Sequence, residues 1–486
     1  MNMIPLSRIL AYWAEKKPDQ HAIIHGDEAI TWAELDQQTN QLARAYEAMG
    51  VKQDDFVTNA LPNGIENMAV TFATWKLGAT PQPISSKLPK IERDAIIDLA
   101  NPSLVAGIND PMGDRPSVPT GFTGHTSYSS APVEERISKR VKAVTSGGST
   151  GRPKLIVMPT PAVWDLDETF LIMPHETTVL VPGPLYHNGP FMWAVMALCQ
   201  GNTVVLVTRF DAQDTLRLIE THKVGHSYFV PTMMQRIWKL PEDVRTAYDL
   251  SSLNSFIHMA APCPPWLKEA FIEWLGPEVV WELYGGAEGQ GGTLISGSEW
   301  LQHRGSVGKP MEGSGEMKVF GEDGKELPPG EIGEIFMRPS TGPGSTYEYI
   351  GAEANRRDDG WDSLGDMGYF DKDGYLYLAD RRTDMILCGG SNVYPAEVEA
   401  AIDAHPAVRS SAVIGLPHED MGNQVHAIVD APGGALSEAE LLAFLGERLV
   451  RYKLPRSVEF VGEPLRDDAG KVRRKALRAA RVTESA

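Results

Sequence analysis

A chain of 486 residues with 42% apolar and 22% charged side chains is long enough for two or three domains and too apolar for a disordered protein. Its net charge of −19 argues against a nucleic-acid-binding surface. Three cysteines, Cys199, Cys263 and Cys388, stand far apart without a CxxC pair, so they read as reduced thiols of a cytoplasmic protein.

In chain order, no basic stretch followed by an apolar one opens the sequence, so no signal peptide is expected. Thr31-Trp32-Ala33-Glu34 is a capping box ahead of a helix that Gly50 ends. Residues 110–139, rich in Pro, Gly, Ser and Thr, predict a surface excursion. Strand-like runs at 177–181, 203–208, 226–230 and 255–259 alternate with helical patterns near 190–200, 211–222, 231–239 and 265–275. That alternation predicts an α/β fold with mostly parallel sheets. The apolar run 191–199 is too short to span a membrane and reads as a buried helix. From about 303 to 380, turns such as Glu322-Asp323-Gly324 and Asp371-Lys372-Asp373-Gly374 divide short strands, as in a β-rich subdomain. Beyond Arg382 a small α+β unit follows.

The densest chemistry lies at Thr145-Ser146-Gly147-Gly148-Ser149-Thr150-Gly151-Arg152-Pro153-Lys154. Glycines let backbone N–H groups approach an anion, hydroxyls add donors, and Arg and Lys add charge. A flexible linker is the bland alternative, but apolar segments flank the loop on both sides. A P-loop does not fit, because the spacing is not GxxxxGK[ST] and Pro153 removes a donor directly before Lys154. The loop is suited to holding a polyphosphate.

Further motifs follow in fixed order: Tyr186-His187-Asn188, Met259-Ala260-Ala261-Pro262, Tyr284-Gly285-Gly286-Ala287-Glu288 and Gly365-Asp366. After them come Asp380-Arg381-Arg382-Thr383-Asp384, Gly389-Gly390-Ser391-Asn392-Val393-Tyr394-Pro395 and Gly470-Lys471. The series resembles the adenylate-forming superfamily of acyl-CoA synthetases, peptide-synthetase adenylation domains and luciferases, over essentially the whole chain. The resemblance implies an N-terminal adenylation domain over residues 1–381 and a small mobile C-terminal domain over 382–486. It also implies ATP and coenzyme A as cosubstrates, with Mg²⁺.

By this resemblance Thr145, Ser146, Gly147, Gly148, Ser149, Thr150 and Lys154 grip phosphates, and Glu288 holds Mg²⁺. Ala261, Pro262, Glu282, Leu283, Tyr284 and Gly285 lie about the nucleotide, Asp366 accepts ribose hydroxyls, and Arg381 meets ribose or phosphate. Lys471 is the implied catalytic lysine, with Glu288 and His187 beside it. Trp193, Phe229, His258, Met259, Gly285 and Gly286 would line the acyl pocket, with the glycines leaving room for a bulky acid. The other reading of Gly285 and Gly286 is a tight turn. Gly389 and Gly390 would line the coenzyme A channel, and Thr383 would be the hinge. Taken singly, Lys471 could be part of a solvated basic face, His187 a structural histidine and Asp366 a turn residue.

Three departures stand out: Ala287 for the usual threonine, Thr383 at the hinge, and the additional Gly148. The expected function is ATP-dependent activation of a carboxylic acid, of bulky or medium-chain hydrophobic type, followed by transfer to coenzyme A. Transfer to an acyl carrier protein and luciferase-like oxidation are the alternatives. No nucleic acid and no membrane span are expected, and a homodimer is compatible with the sequence.

Overall fold

In the computed structural model, the segments from 178 to 285 alternate strand and helix and build the middle of one long mixed sheet. The structure describes all residues except 1, 111, 147–152, 382–383, 389–390, 419–420, 435, 468–469 and 484–486, and only the backbone at 146, 380, 381 and 483. Strand Thr178–Val181 lies between Thr203–Leu206 on one side and Val224–Phe229 on the other, both parallel to it. Ser255–His258 and Val280–Gly285 extend the parallel block. These strands are covered on both faces, so their apolar runs are nearly continuous: Val179, Leu180, Val181, Val204, Val205 and Leu206 are all buried. Helices Asn188–Cys199, Ala212–His222, Pro231–Trp238 and Pro265–Leu275 make the crossovers.

Chain order reverses direction at Thr178–Val181: the next strand joins one side of it and the one after joins the other. Such a switch point opens a crevice at the carboxyl ends of the strands, where α/β sheets place ligands. His187 follows one of these ends, and Phe229 closes the other. Beyond Val280–Gly285 the sheet turns antiparallel, through Gly292–Ser296, Ser306–Pro310, Leu376–Arg381, Asp362–Phe370, Gly333–Pro339 and Gly315–Phe320.

A four-strand parallel sheet (Thr80–Pro83, Phe56–Asn59, Leu104–Ala106, Ser117–Val118) packs nearby. The antiparallel hairpin Lys142–Ser146/Lys154–Met158 carries the phosphate loop, and Glu348–Ile350 pairs with its second strand. The capping box at Thr31 forms as predicted: Glu34 N–H donates to Thr31 Oγ1, and Thr31 N–H to Glu34 Oε2 at 2.9 Å. The polar excursion at 110–139 runs largely over the surface, where Arg44 donates to the carbonyls of Ser129, Ala131 and Pro132.

Residues beyond 385 have apolar clusters of their own, one around Val398, Ile402, Val413, Val425 and Leu441, another around Ala412, Ile414 and Ile428. Their sheet joins Ser391–Val393, Ile386–Cys388, Gly422–Asp430, Ser410–His418 and the parallel strand Ser457–Val461. This part leans on helix Pro231–Trp238 and the residue after it: Lys239 donates to the Val408 carbonyl, and Gln235 Nε2 to the Asp403 carbonyl at 3.5 Å. Among the described residues no helix is long and apolar enough to cross a membrane.

Candidate active site

In the hairpin, Lys154 pairs opposite Ser146, the last described residues on either side of the glycine-rich stretch being Ser146 and Pro153. Gly147, Gly148, Ser149, Thr150 and the Ser146 side chain lie outside the described residues. At Thr145, Oγ1 accepts from Gln82 Nε2 at 3.5 Å. Lys154 Nζ stands 3.9 Å from Glu288 Oε1 and 3.7 Å from the centre of the Tyr349 ring. The Tyr349 hydroxyl donates to Glu288 Oε1 at 2.6 Å. Glu288 is only 7% exposed, so its charge stays weakly screened and needs these partners.

Beneath this group, Lys142 sits within the apolar run 141–144 and is buried. Its ammonium donates to Asn188 Oδ1 at the start of helix Asn188–Cys199. Burial pushes the Lys142 pKa down to about 7, against the pull of the Glu288 charge. A lysine inside an apolar strand was the sequence signal for this residue.

Strand Val280–Gly285 delivers Tyr284, whose hydroxyl donates to Asp366 Oδ2 at 2.8 Å. Gly365, with φ of +82°, makes the left-handed step that presents Asp366, which pairs in register with Arg381. Glu282, on the same strand, is engaged by Lys268 Nζ at 2.7 Å, and that ammonium lies 5.1 Å from the Trp300 ring centre. His258 is fully buried beside this pair, with Nδ1 3.9 Å from Glu282 Oε1 and no hydrogen-bond partner for either nitrogen among the described residues. Burial, reinforced by Lys268, holds the imidazole neutral, well below its usual pKa. Ala260, which precedes Ala261 and Pro262, has φ of +74°, a left-handed conformation rare for a residue with a Cβ. That strain sits in the loop read as nucleotide-facing.

His187 immediately precedes helix Asn188–Cys199, with its ring 4.3 Å from that of Tyr186. Further along the helix Trp193 is buried, and its indole N–H donates to His226 Nε2 at 3.1 Å. His226 Nδ1–H then donates to Ser255 Oγ at 2.8 Å, so Trp193, expected to line the acyl pocket, takes part in a core relay. Phe229 meets Phe256 edge to face at 5.3 Å, while Met259 is half-buried against the main core.

Gly286 departs from the open volume expected of it. A Cβ built there would fall 2.5 Å from Leu364 Cδ1 and 2.7 Å from Glu288 Oε2. The missing side chain makes room for Glu288 itself. At Gly285 a Cβ would meet the Gly291 carbonyl oxygen at 3.2 Å.

Lys471 lies in a turn closed by Asp467 N–H donating to the Lys471 carbonyl at 3.0 Å and by Lys471 N–H donating to Asp467 Oδ1 at 2.9 Å. Its side chain is exposed. The flanking Arg466 and Arg474 both reach Glu399, at 2.9 and 2.8 Å. Arg474 is thereby largely shielded, its side chain 17% exposed. Gly470 packs at the first turn of helix Pro231–Trp238, just past the carboxyl end of Val224–Phe229. Thr383, Gly389 and Gly390 lie outside the described residues, as does the Arg381 side chain. Sequence reasoning missed Lys142, Lys268 and Tyr349, and gave Asn188 a motif but no role.

Residues 10–349 match the family model for AMP-binding enzymes, and 397–471 match the AMP-binding enzyme C-terminal domain. A feruloyl-CoA synthase of Amycolatopsis sp. is 33% identical, over 94% of this chain and 95% of that one. A 2-succinylbenzoate–CoA ligase of Bacillus licheniformis is 31% identical, over 96% and 98%. The solved O-succinylbenzoate coenzyme A synthetase from Bacillus subtilis, in complex with ATP and magnesium ion, superposes with a TM-score of 0.80 at 26% identity, covering 98% of this chain and 99% of that one.

Proposed function

The chain belongs to the AMP-binding enzyme family as an AMP-forming acid–thiol ligase, and we propose that it acts on a bulky or medium-chain hydrophobic carboxylic acid. It forms an acyl-adenylate with release of pyrophosphate and transfers the acyl group to coenzyme A. ATP and coenzyme A are the cosubstrates, with Mg²⁺. The observation that carries the site reading is the meeting of Lys154 and Glu288 beside the phosphate hairpin.

A buried glutamate with one oxygen facing Gly286 and the other tied to Tyr349 suits a hard cation, whose preferred ligands are oxygens. When bound there, Mg²⁺ neutralises phosphate charge. The protein groups do the rest. Lys154 and the hydroxyl-rich loop hold the β- and γ-phosphates, and Asp366, oriented by Tyr284, accepts from the ribose. Repulsion between carboxylate and polyphosphate is the main barrier, so neutralisation and positioning supply most of the catalysis. Lys471 offers a cation between the incoming carboxylate and the ribose 5′-oxygen; the seating of Gly470 by Thr232 supports that role in the first half-reaction. His187 stands where acyl group and nucleotide would meet, at the switch point. Phe229, His258 and Met259 would wall the acyl side.

The unit from 382 onward would rotate about Thr383 between half-reactions, bringing Gly389 and Gly390 to the thiol channel. The cysteines are free thiols, which supports the cytoplasm as its location. The test is anaerobic incubation with a panel of acids, ATP, Mg²⁺ and coenzyme A, following pyrophosphate, AMP and thioester. Turnover with bulky acids supports the reading. Thioester only on a phosphopantetheinylated carrier, or turnover only with O₂, replaces it with one of the alternatives.

A further inference from the structure

Ala287 leaves the phosphate site without the hydroxyl that threonine would bring next to Glu288. Tyr349 brings one from a different part of the chain. Ala287 and Tyr349 pack against the same small apolar cluster, built on Val144, Ile156 and Tyr347. We infer that Tyr349 is a positioning residue for adenylation, its hydroxyl aiming Glu288 for the metal–nucleotide complex and its ring face holding Lys154. This rests on the adenylation reading above.

The geometry is specific. One aromatic side chain contacts both charged groups of the site: O–H to Glu288 Oε1 at 2.6 Å, ring centre to Lys154 Nζ at 3.7 Å. A hydrogen bond to a carboxylate is among the stronger ones, and a cation over a tyrosine face adds to it. Glu and Lys side chains lose much rotamer freedom when fixed, whereas Tyr has little to lose. Fixing them before ATP arrives removes that entropy from the binding step.

Tyr349 is itself held in place. Its strand pairs with the hairpin, Tyr349 opposite Ile156, and the Tyr347 ring meets it edge-on at 4.7 Å. The Tyr347 hydroxyl donates to Asp362 Oδ2 at 3.3 Å, and Asp362 is clamped by Arg356 at 2.7 and 2.9 Å. With Oε1 occupied, Oε2 is left facing Gly286, whose bare backbone leaves it room.

The experiment compares wild type, Tyr349→Phe, Ala287→Thr and the double variant. Phenylalanine keeps the ring and the packing, so the melting temperature should stay close to wild type. Calorimetric MgATP affinity should fall about tenfold, the size of one lost charge-assisted hydrogen bond. Pyrophosphate exchange should need more Mg²⁺, while thioester formation from supplied acyl-adenylate should be unchanged. In the double variant the restored threonine hydroxyl should recover most of the MgATP affinity, and Ala287→Thr alone should change little. Tyr349→Phe binding MgATP like wild type at every Mg²⁺ concentration overturns the inference, as does equal loss of both half-reactions. Failure of the wild type to bind MgATP would instead overturn the adenylation reading on which the inference stands.

Discussion

Gly470 rests against Thr232: a Cβ built on the glycine would fall 2.9 Å from the threonine Oγ1, and its φ of +77° is one that side chains rarely adopt. The neighbouring Lys471 is thereby carried to the carboxyl end of Val224–Phe229, beside the crevice. Lys471→Ala should remove a contact made while the carboxylate attacks phosphorus, about 3–4 kcal/mol or a few hundredfold in rate. Thioester formation from supplied acyl-adenylate should survive. Gly470→Val, which cannot seat against Thr232, should show the same split with Lys471 intact. Single-turnover assays of the two half-reactions decide it, and equal loss of both would remove Lys471 from its role.

Gly286→Ala should slow adenylation of every acid alike, because the new methyl group meets Leu364 and the Glu288 carboxylate. Overpacking of this kind typically costs about 1–3 kcal/mol. The measurement is kcat/KM for a polycyclic acid and a short acid. A selective loss of the bulky substrate would restore the open-pocket reading of this glycine.

Lys142 makes stability depend on pH. Its pKa is about 7 in the folded chain, against 10.5 for a solvated lysine. Between those values the unfolded state binds more protons, so this group makes stability rise with pH across roughly 7 to 10.5. Below pH 7 both states carry the charge and the full desolvation penalty applies. Lys142→Met should therefore raise the melting temperature more at about pH 6 than at about pH 9.5. An equal shift at both would show that Lys142 titrates normally.

His258→Leu removes a buried ring whose nitrogens lack hydrogen-bond partners among the described residues. Replacing such a group with an apolar one of similar size is close to neutral or stabilising. Thermal melts should show no loss, while the ranking of acids should change if this strand end walls the acyl side. Unchanged ranking would confine His258 to the core.

Much of the fold could be read from periodicity, because elements such as Thr178–Val181 and Ala212–His222 are specified by local pattern. The capping box at Thr31 was legible from its four residues, whereas the apolar segments around the glycine-rich loop gave no sign that they pair as strands. What escaped was pairing across distance. Nothing near Tyr349 indicates that its hydroxyl reaches Glu288, and nothing in Glu282 marks Lys268 as its partner. At Gly286 the sequence shows which side chain is missing but not that Leu364 and Glu288 reach into its place. Trp193 fitted an aromatic wall by type, but its N–H needed an acceptor and found it at His226.

Helix Pro231–Trp238 is touched along its length by the C-terminal unit: Gly470 at its first turn, Asp403 at Gln235, and Val408 at Lys239 just past its end. These contacts lie outside the proposed phosphate and acyl groups, and the proposed rotation of the unit would break them. Under that rotation the helix would act as a clock for the cycle. Substitutions on its outer face would alter how long the enzyme dwells in each posture, and so its turnover number, without changing what it recognises.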